Sequence, residues 1–272
     1  APVLAARAAM RAGAGYVQLA APSSLEDVLA SRLVEPMTLA MPETPQRTLA
    51  LAALEPLLEA AAAVDAVVLG CGLSRHSESS ELVRRFVERC ATPVLLDADG
   101  LNAFEAAREA LHAESAAASP ACGAPGRVRI LTPHLGEMQR LTGESPAALE
   151  SARIDGTVAW AKRWAAVLVL KGAPTVTASA DGAATVNSTG GPVLASAGTG
   201  DVLAGITVAL VAQGLAAYDA ARLGVFLHGT AGDRLNTTRG ALGVIASDVL
   251  EALPDVMREL ARTREGRARG TA

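Results

Sequence analysis

The stretch Ser196-Ala197-Gly198-Thr199-Gly200-Asp201 is small, rich in glycine and carries one carboxylate, and an apolar run from Val202 to Ala212 follows it at once. That run is long enough for a helix of about three turns. Gly198 and Gly200 permit backbone angles closed to other residues and let a ligand approach the main chain. Amides at a helix start have no helical carbonyl to bond, and the helix dipole there favours an anion. The spacing therefore predicts an anion hole at Gly198, Thr199 and Gly200, with Asp201 aimed at whatever the anion is attached to. The plainer alternative is a glycine-rich loop with Asp201 as a helix cap.

Upstream of this loop, short apolar strands alternate with helices. Strands are expected at 16–20, 64–69, 93–96, 128–131 and 167–170. Helices are expected at 3–11, 25–33, 48–63, 78–90, 101–111 and 145–164, the last with Pro146 at its first position. Pro36, Pro42 and Pro45 mark an irregular connection, and 112–126 reads as a loop of small residues. Segments 174–178 and 183–187 flank Asp181-Gly182 as a β-hairpin. Helices at 202–212, 217–235 and 247–260 follow, and 261–272 reads as a basic, frayed tail. The alternation predicts a single α/β domain over 1–260, doubly wound, with a mostly parallel central sheet and helices on both faces.

Composition narrows the function. With 272 residues, half of them hydrophobic, the chain can bury a large core, but only 3% are aromatic, so Ala and Val must fill it. A net charge of −4 offers no basic field for nucleic acid. No apolar run reaches membrane-spanning length. Cys71, Cys90 and Cys122 are far apart and form no CxxC, which fits a reducing cytoplasm. The chain starts at Ala1 and enters a helical pattern at once, which predicts a missing first strand rather than a signal peptide.

Ligands of open α/β sheets bind beyond the carboxyl ends of the strands, and the unusual residues fall there. Gly70-Cys71-Gly72 follows one strand and would let a bulky ligand lie against backbone, or simply make a turn. Asp97-Ala98-Asp99-Gly100-Leu101-Asn102 follows the next. Asp97 and Asp99 share a side on an extended strand end and suit a hydrated magnesium ion, although Asp99 equally suits a helix cap. In Thr132-Pro133-His134-Leu135-Gly136-Glu137, the i, i+3 spacing puts His134 and Glu137 on one side of a first helical turn. His134 is expected to contact substrate or phosphate and Glu137 to meet magnesium through water; the plain alternative for Glu137 is a helix-start stabiliser. Lys171 ends the fourth strand, as a cation near phosphate with the backbone of 172–175 against a nucleotide, or as a solvated lysine. Neither G-x-G-x-x-G nor the P-loop pattern is present.

In these residues the chain resembles the ADP-dependent NAD(P)H-hydrate dehydratases of the ribokinase-like superfamily. The matching stretches are ARAAMRAGAGYVQLA, VVLGCGLSR, LLDADGLN, LTPHLGEM, VLKGAPT, SAGTGDVLAGITVALVAQG and LGVFLHGTAGD. GTGD alone marks the superfamily; its combination with DADGLN and TPHLGE is far more specific. Gly100 stands where members often carry Ala, and Pro174 where they often carry Gly. The resemblance implies a three-layer α/β/α fold. It also implies a repair reaction, in which ADP phosphorylates the hydroxyl of hydrated NADH or NADPH, and elimination then restores the reduced nucleotide and leaves AMP and phosphate. By the same resemblance Asp201 is the catalytic carboxylate and also touches substrate. Lys171, Gly172, Ala173, Pro174, Thr175 and Gly200 bind AMP, and His134, Gly72 and Ala1 contact the hydrated nucleotide. Magnesium as cofactor (through Asp97 and Glu137), a homotetramer, and an epimerase as fusion or partner are implied as well. A ribokinase-like kinase for a vitamin precursor or sugar, or an inactive nucleotide-binding protein, are the alternatives.

Overall fold

The computed structural model describes residues 1–111 and 128–269, so the expected loop at 112–126 lies outside the described residues. Strands β3 (Val67–Leu69), β4 (Val94–Leu96), β5 (Arg129–Leu131) and β6 (Val167–Leu170) pair in parallel, side by side in chain order. β7 (Val176–Ala178) and β8 (Ala184–Val186) extend the sheet antiparallel. The hairpin between them forms as expected. Gly182 takes φ +97°, and Asp181 Oδ1 accepts from the Ala183 amide at 3.0 Å.

Successive strand residues point to opposite faces, and two cores result. Leu96, Leu131, Leu168 and Leu170 face α3 (Leu54–Ala62), α4 (Ser77–Arg89), α5 (Asp99–Asn102), α6 (Leu135–Thr142), α7 (Pro146–Ser151) and α8 (Arg153–Trp164). Leu95, Ile130, Val167 and Val169 face α1 (Pro2–Arg11), α9 (Thr199–Ala212) and α10 (Ala217–Arg239). α11 (Ala246–Arg269) packs on α1, α9 and α10. The three layers are as expected, but the winding is not double. Sheet order follows chain order, so the right-handed crossovers between neighbouring parallel strands all return on one face. The opposite layer comes from the two ends of the chain. No described helix is long and apolar enough to cross a membrane.

A second, two-stranded parallel sheet pairs β1 (Gln18–Pro22) with β2 (Met37–Met41), with α2 (Glu26–Ala30) between them in sequence. β2 replaces the irregular connection expected there. Pro36 and Pro42 bracket the strand without removing a ladder donor from its interior. β1 lies two residues beyond the expected 16–20, and Tyr16 is 54% exposed. A cavity of about 920 Å³ separates this pair from β3, with α1 and α9 along its wall and Gly70 to Ser74 at its end.

Several helix boundaries differ. The helix expected at 25–33 shrinks to α2, and that at 48–63 reaches α-form only at Leu54. The one expected at 101–111 ends after α5 and returns as one 3-10 turn, Arg108–Leu111. The one expected at 145–164 breaks at Ala152 into α7 and α8; Ser145 caps α7, accepting from the Ala148 amide at 3.2 Å, with Pro146 at the first position as expected. α9 begins three residues earlier than 202, and the backbone of α11 continues helical through 261–269, where fraying was expected.

With so few aromatics, packing depends on close helix approach. A Cβ added at Gly205 of α9 would lie 2.2 Å from the Ala5 carbonyl oxygen and 2.8 Å from Ala8 Cβ on α1. Gly205→Ala is therefore expected to cost about 1–3 kcal/mol, because the new methyl meets backbone that cannot move aside alone. A lower denaturant midpoint at unchanged m would show this; an unchanged midpoint would contradict the packing.

His228, in the middle of α10, is buried with Nε2 lacking a hydrogen-bond partner, and burial pushes its pKa from 6.5 down to about 4. The unfolded chain then binds the proton more readily. Stability is fully present above pH 6.5 and falls as pH drops from 6.5 toward 4, by roughly 3 kcal/mol at about 1.4 kcal/mol per pH unit between the two values. Unfolding free energies at pH 7 and pH 4 test this, with His228→Leu expected to flatten that part of the profile. An unaltered profile in the variant would refute it.

Candidate active site

The carboxyl ends of β4, β5 and β6 are tied together by a half-buried lysine. Lys171 directly follows β6, and its amide donates to the Pro133 carbonyl at 2.8 Å, extending the β5–β6 pairing. Its Nζ lies 2.6 Å from Asp97 Oδ1 and 3.7 Å from Glu137 Oε2. The Lys171 side chain is 19% exposed and that of Asp97 only 3%. Burial works against the ammonium, but the two carboxylates outweigh it, so the Lys171 pKa is raised and the group stays charged. Asp97 is fixed by a second bond as well, since Thr132 Oγ1 donates to its Oδ1 at 2.9 Å. The solvated-lysine alternative does not hold.

The His134–Glu137 pair forms a reciprocal cap at the start of α6. The Gly136 and Glu137 amides donate to His134 Nδ1 at 3.0 and 3.2 Å, and the His134 amide donates to Glu137 Oε2 at 2.8 Å. Nδ1 is thus an acceptor, and Nε2 carries the proton. Burial lowers the His134 pKa, which keeps the ring neutral, while its side chain remains 55% exposed. Glu137, expected to meet magnesium through water, is buried, with one oxygen on the His134 amide and in the field of Lys171. The cation it faces is the protein's own.

Asp97 and Asp99 do not share a side. Ala98 takes φ +49° and turns the chain between them. Asp97 faces Lys171. Asp99 stands at the first position of α5, where its Oδ2 accepts from the Ser74 amide at 2.9 Å and its Oδ1 from Asn102 Nδ2 at 3.2 Å.

Across from Lys171 lies the first turn of α9. Gly198 is the N-cap, with φ +91° that only glycine adopts freely. Thr199 Oγ1 turns inward and donates to the Leu194 and Ser196 carbonyls at 2.8 and 2.9 Å, bracing the loop. Asp201 is the third helical residue rather than the cap, and its side chain makes no cap bond. A Cβ at Gly200 would sit 3.4 Å from Lys171 Nζ and 3.7 Å from Asp97 Oδ2, so the loop's backbone passes directly over the ion pair. Oxygens of Asp97 and Asp201 and the Cys71 sulfur lie within 4.8 Å of one another. Burial raises the Asp201 pKa, and burial beside the two carboxylates raises that of Cys71 well above its usual value, leaving a neutral thiol.

Gly72 (φ +80°) and Ala1 lie together, since a Cβ at Gly72 would be 3.5 Å from that of Ala1 and 3.2 Å from Pro2 Cδ. Gly172, Ala173 and Pro174 form an exposed arch after Lys171, closed by Thr175 Oγ1 donating to the Gly172 carbonyl at 3.0 Å. The Asn187 amide donates to the Thr175 carbonyl at 2.9 Å. Asn187 borders a cavity of about 440 Å³ between the hairpin and α10, lined also by Thr185, Ser188 and Phe226. The structure thus gathers Gly72, Asp97, His134, Lys171, Gly200 and Asp201 at one end of the sheet and leaves Asp99 aside. Sequence reasoning missed Cys71 as a neighbour of Asp201, the Thr132 hydroxyl, and the buried Arg153 beneath the 171–175 arch. None of the three carried a local signal; Arg153 falls in the interior of the helix expected at 145–164, and only the break at Ala152 puts it at a helix start.

A sequence model of the NAD(P)H-hydrate dehydratase family matches residues 1–255. The bifunctional NAD(P)H-hydrate repair enzyme Nnr of Moorella thermoacetica is 44% identical over 257 residues, covering 94% of this chain and 46% of the relative. The ADP-dependent (S)-NAD(P)H-hydrate dehydratase of Xanthomonas campestris pv. campestris is 36% identical over 261 residues, covering 96% of this chain and 84% of the relative. Among solved structures, the ADP/ATP-dependent NAD(P)H-hydrate dehydratase from Bacillus subtilis, co-crystallised with ATP and Mg2+ and soaked with CoA, has a TM-score of 0.75 at 26% identity, covering 95% of this chain and 86% of that one. The three-layer fold is that of ribokinase-like kinases and dehydratases. The chain spans about half the length of the bifunctional relatives it matches. With the family model covering nearly all of it and the expected motifs meeting at one sheet end, the chain belongs to the NAD(P)H-hydrate dehydratase family.

Proposed function

We propose that this chain dehydrates hydrated NADH or NADPH at the expense of ADP, restoring the reduced nucleotide and releasing AMP and phosphate. The observation that carries this reading is the meeting of Asp201, the first-turn amides of α9 and the Lys171–Thr175 segment over one buried ion pair. Phosphoryl transfer needs positioning and charge stabilisation more than covalent help. Asp201 takes the proton from the substrate hydroxyl as its oxygen attacks the β-phosphorus of ADP and the bond to AMP breaks. The amides of Thr199, Gly200 and Asp201 hold the transferring group. The phosphorylated carbon then loses phosphate while the neighbouring ring carbon gives up a proton to solvent, and the ring double bond re-forms between them. Gly172 to Thr175 hold the AMP portion, and the adjoining cavity at Asn187 takes its nucleoside. Gly72, Ala1 and the Nε2–H of neutral His134 face the hydrated nucleotide.

Two carboxylates with oxygens within 4.8 Å suit a magnesium ion that keeps most of its waters. Asp97 and Asp201 would hold it through water, and it would neutralise phosphate charge. In the cell we place the chain in the cytoplasm, as a homotetramer acting with, or fused to, an epimerase of the hydrated nucleotide. Relatives named bifunctional repair enzymes support that association.

The test is incubation with ADP and hydrated NADPH, following dihydronicotinamide absorbance and AMP. Equal amounts of restored NADPH and AMP are expected. Nucleotide consumption only with an unrelated alcohol would point to a small-molecule kinase and overturn the proposal. Asp201→Asn is expected to lose at least about 10²-fold in turnover, the lower end for a positioned general base, with ADP binding by calorimetry preserved. Turnover within about threefold of wild type, well short of that range, would remove Asp201 as the base.

A further inference from the structure

We infer that Arg153 is a positioning residue for the nucleotide arch, acting on ADP through the backbone of residues 171–174; this rests on reading 171–175 as the ADP-binding segment. Arg153 opens α8 and is buried. Its Nε donates to the Pro174 carbonyl at 2.8 Å and its Nη2 to the Lys171 carbonyl at 3.0 Å, so one rigid plane ties both ends of the arch. Nη1 donates to Glu150 Oε1 at 2.7 Å, which fixes the plane from the far side. The arch in turn is shaped around the guanidinium. A Cβ at Gly172 (φ +156°) would lie 1.9 Å from Arg153 Nη2, so that position has no room for a side chain while the arginine is in place.

The consequence reaches the ion pair as well. Lys171 is held through its amide by Pro133 and through its carbonyl by Arg153, which leaves the side chain aimed at Asp97. Lysine does not reproduce this arginine, because its donors share one ammonium at the end of a flexible stem instead of sitting on a rigid planar fork. Arg153 touches neither Asp201 nor the first turn of α9 in any hydrogen bond of the structure, so its effect is expected on ADP affinity rather than on the chemical step.

The experiment measures steady-state constants for ADP and for hydrated NADPH in wild type, Arg153→Lys, Gly172→Ala and the double variant. In Arg153→Lys the KM for ADP is expected to rise about tenfold, the size of one lost charge-assisted hydrogen bond. Its kcat should change less than about threefold, and its KM for hydrated NADPH should stay at the wild-type value. Gly172→Ala displaces the guanidinium without removing it. It should reproduce the ADP effect, and the double variant should be no worse than the poorer single, as expected for one shared interaction. An unchanged KM for ADP in Arg153→Lys, equal rises for both substrates, or effects that multiply in the double variant would overturn the inference. If Arg153→Lys fails to fold, Glu150→Ala, which frees Nη1 without touching the arch, decides it: a KM for ADP that rises while that for hydrated NADPH stays put supports the inference, and an unchanged KM for ADP overturns it. Calorimetry of wild type with ADP separates the two levels: no binding overturns the nucleotide reading and this inference with it, whereas binding that Arg153→Lys leaves intact overturns the inference alone.

Discussion

The contact between Lys171 and Asp97 is the constraint around which the site is built. A buried ion pair is costly in desolvation and holds only where its geometry is good and its remaining valences are met. Here Asp97 also accepts from Thr132, Glu137 adds a second negative charge beside the ammonium, and the backbone of Lys171 is held on both sides. The pair therefore locks β4, β5 and β6 in register at their carboxyl ends. The glycine loop passes over it, with a Cβ position at Gly200 in van der Waals range of both the ammonium and Asp97. Placement of Asp201 depends on both.

The same logic of small residues runs through the fold. Gly205 lets α9 meet α1 at backbone distance, and α9 is buried along almost its whole length. The helix that presents the Gly198–Gly200 turn is thus held in place because it is surrounded, not because of its intrinsic propensity. The opposite face of the sheet carries the crossovers, whose starts supply His134 and Asp99.

Much of this is legible in the amino-acid sequence. Val167–Leu170 reads as a strand because it is short, apolar and followed by Lys171-Gly172. The hairpin reads from Asp181-Gly182, and the anion turn from three small residues before a long apolar run. What is not legible depends on distant neighbours. β2 hides between Pro36 and Pro42 because proline is a breaker signal whether it interrupts a strand or merely bounds it. The break at Ala152 has no glycine or proline to announce it; Arg153 is drawn beneath the 171–175 arch, and α8 starts there. Asp97 and Asp99 look equivalent in an extended segment, and only the left-handed turn at Ala98 separates a buried counter-ion from a loop anchor. No spacing in the sequence states that Lys171, 74 residues from Asp97, is its partner.

The most direct test is a double-mutant cycle on Asp97→Asn and Lys171→Met, scored by unfolding free energy in denaturant. If the pair is the tie described here, each single change leaves a buried group without its partner. The double variant should then be more stable than the sum of the two losses allows, with a coupling on the order of 1–3 kcal/mol. Losses that add to within about 0.5 kcal/mol would mean that the two residues act independently, and that the strand ends are held together by something other than their contact.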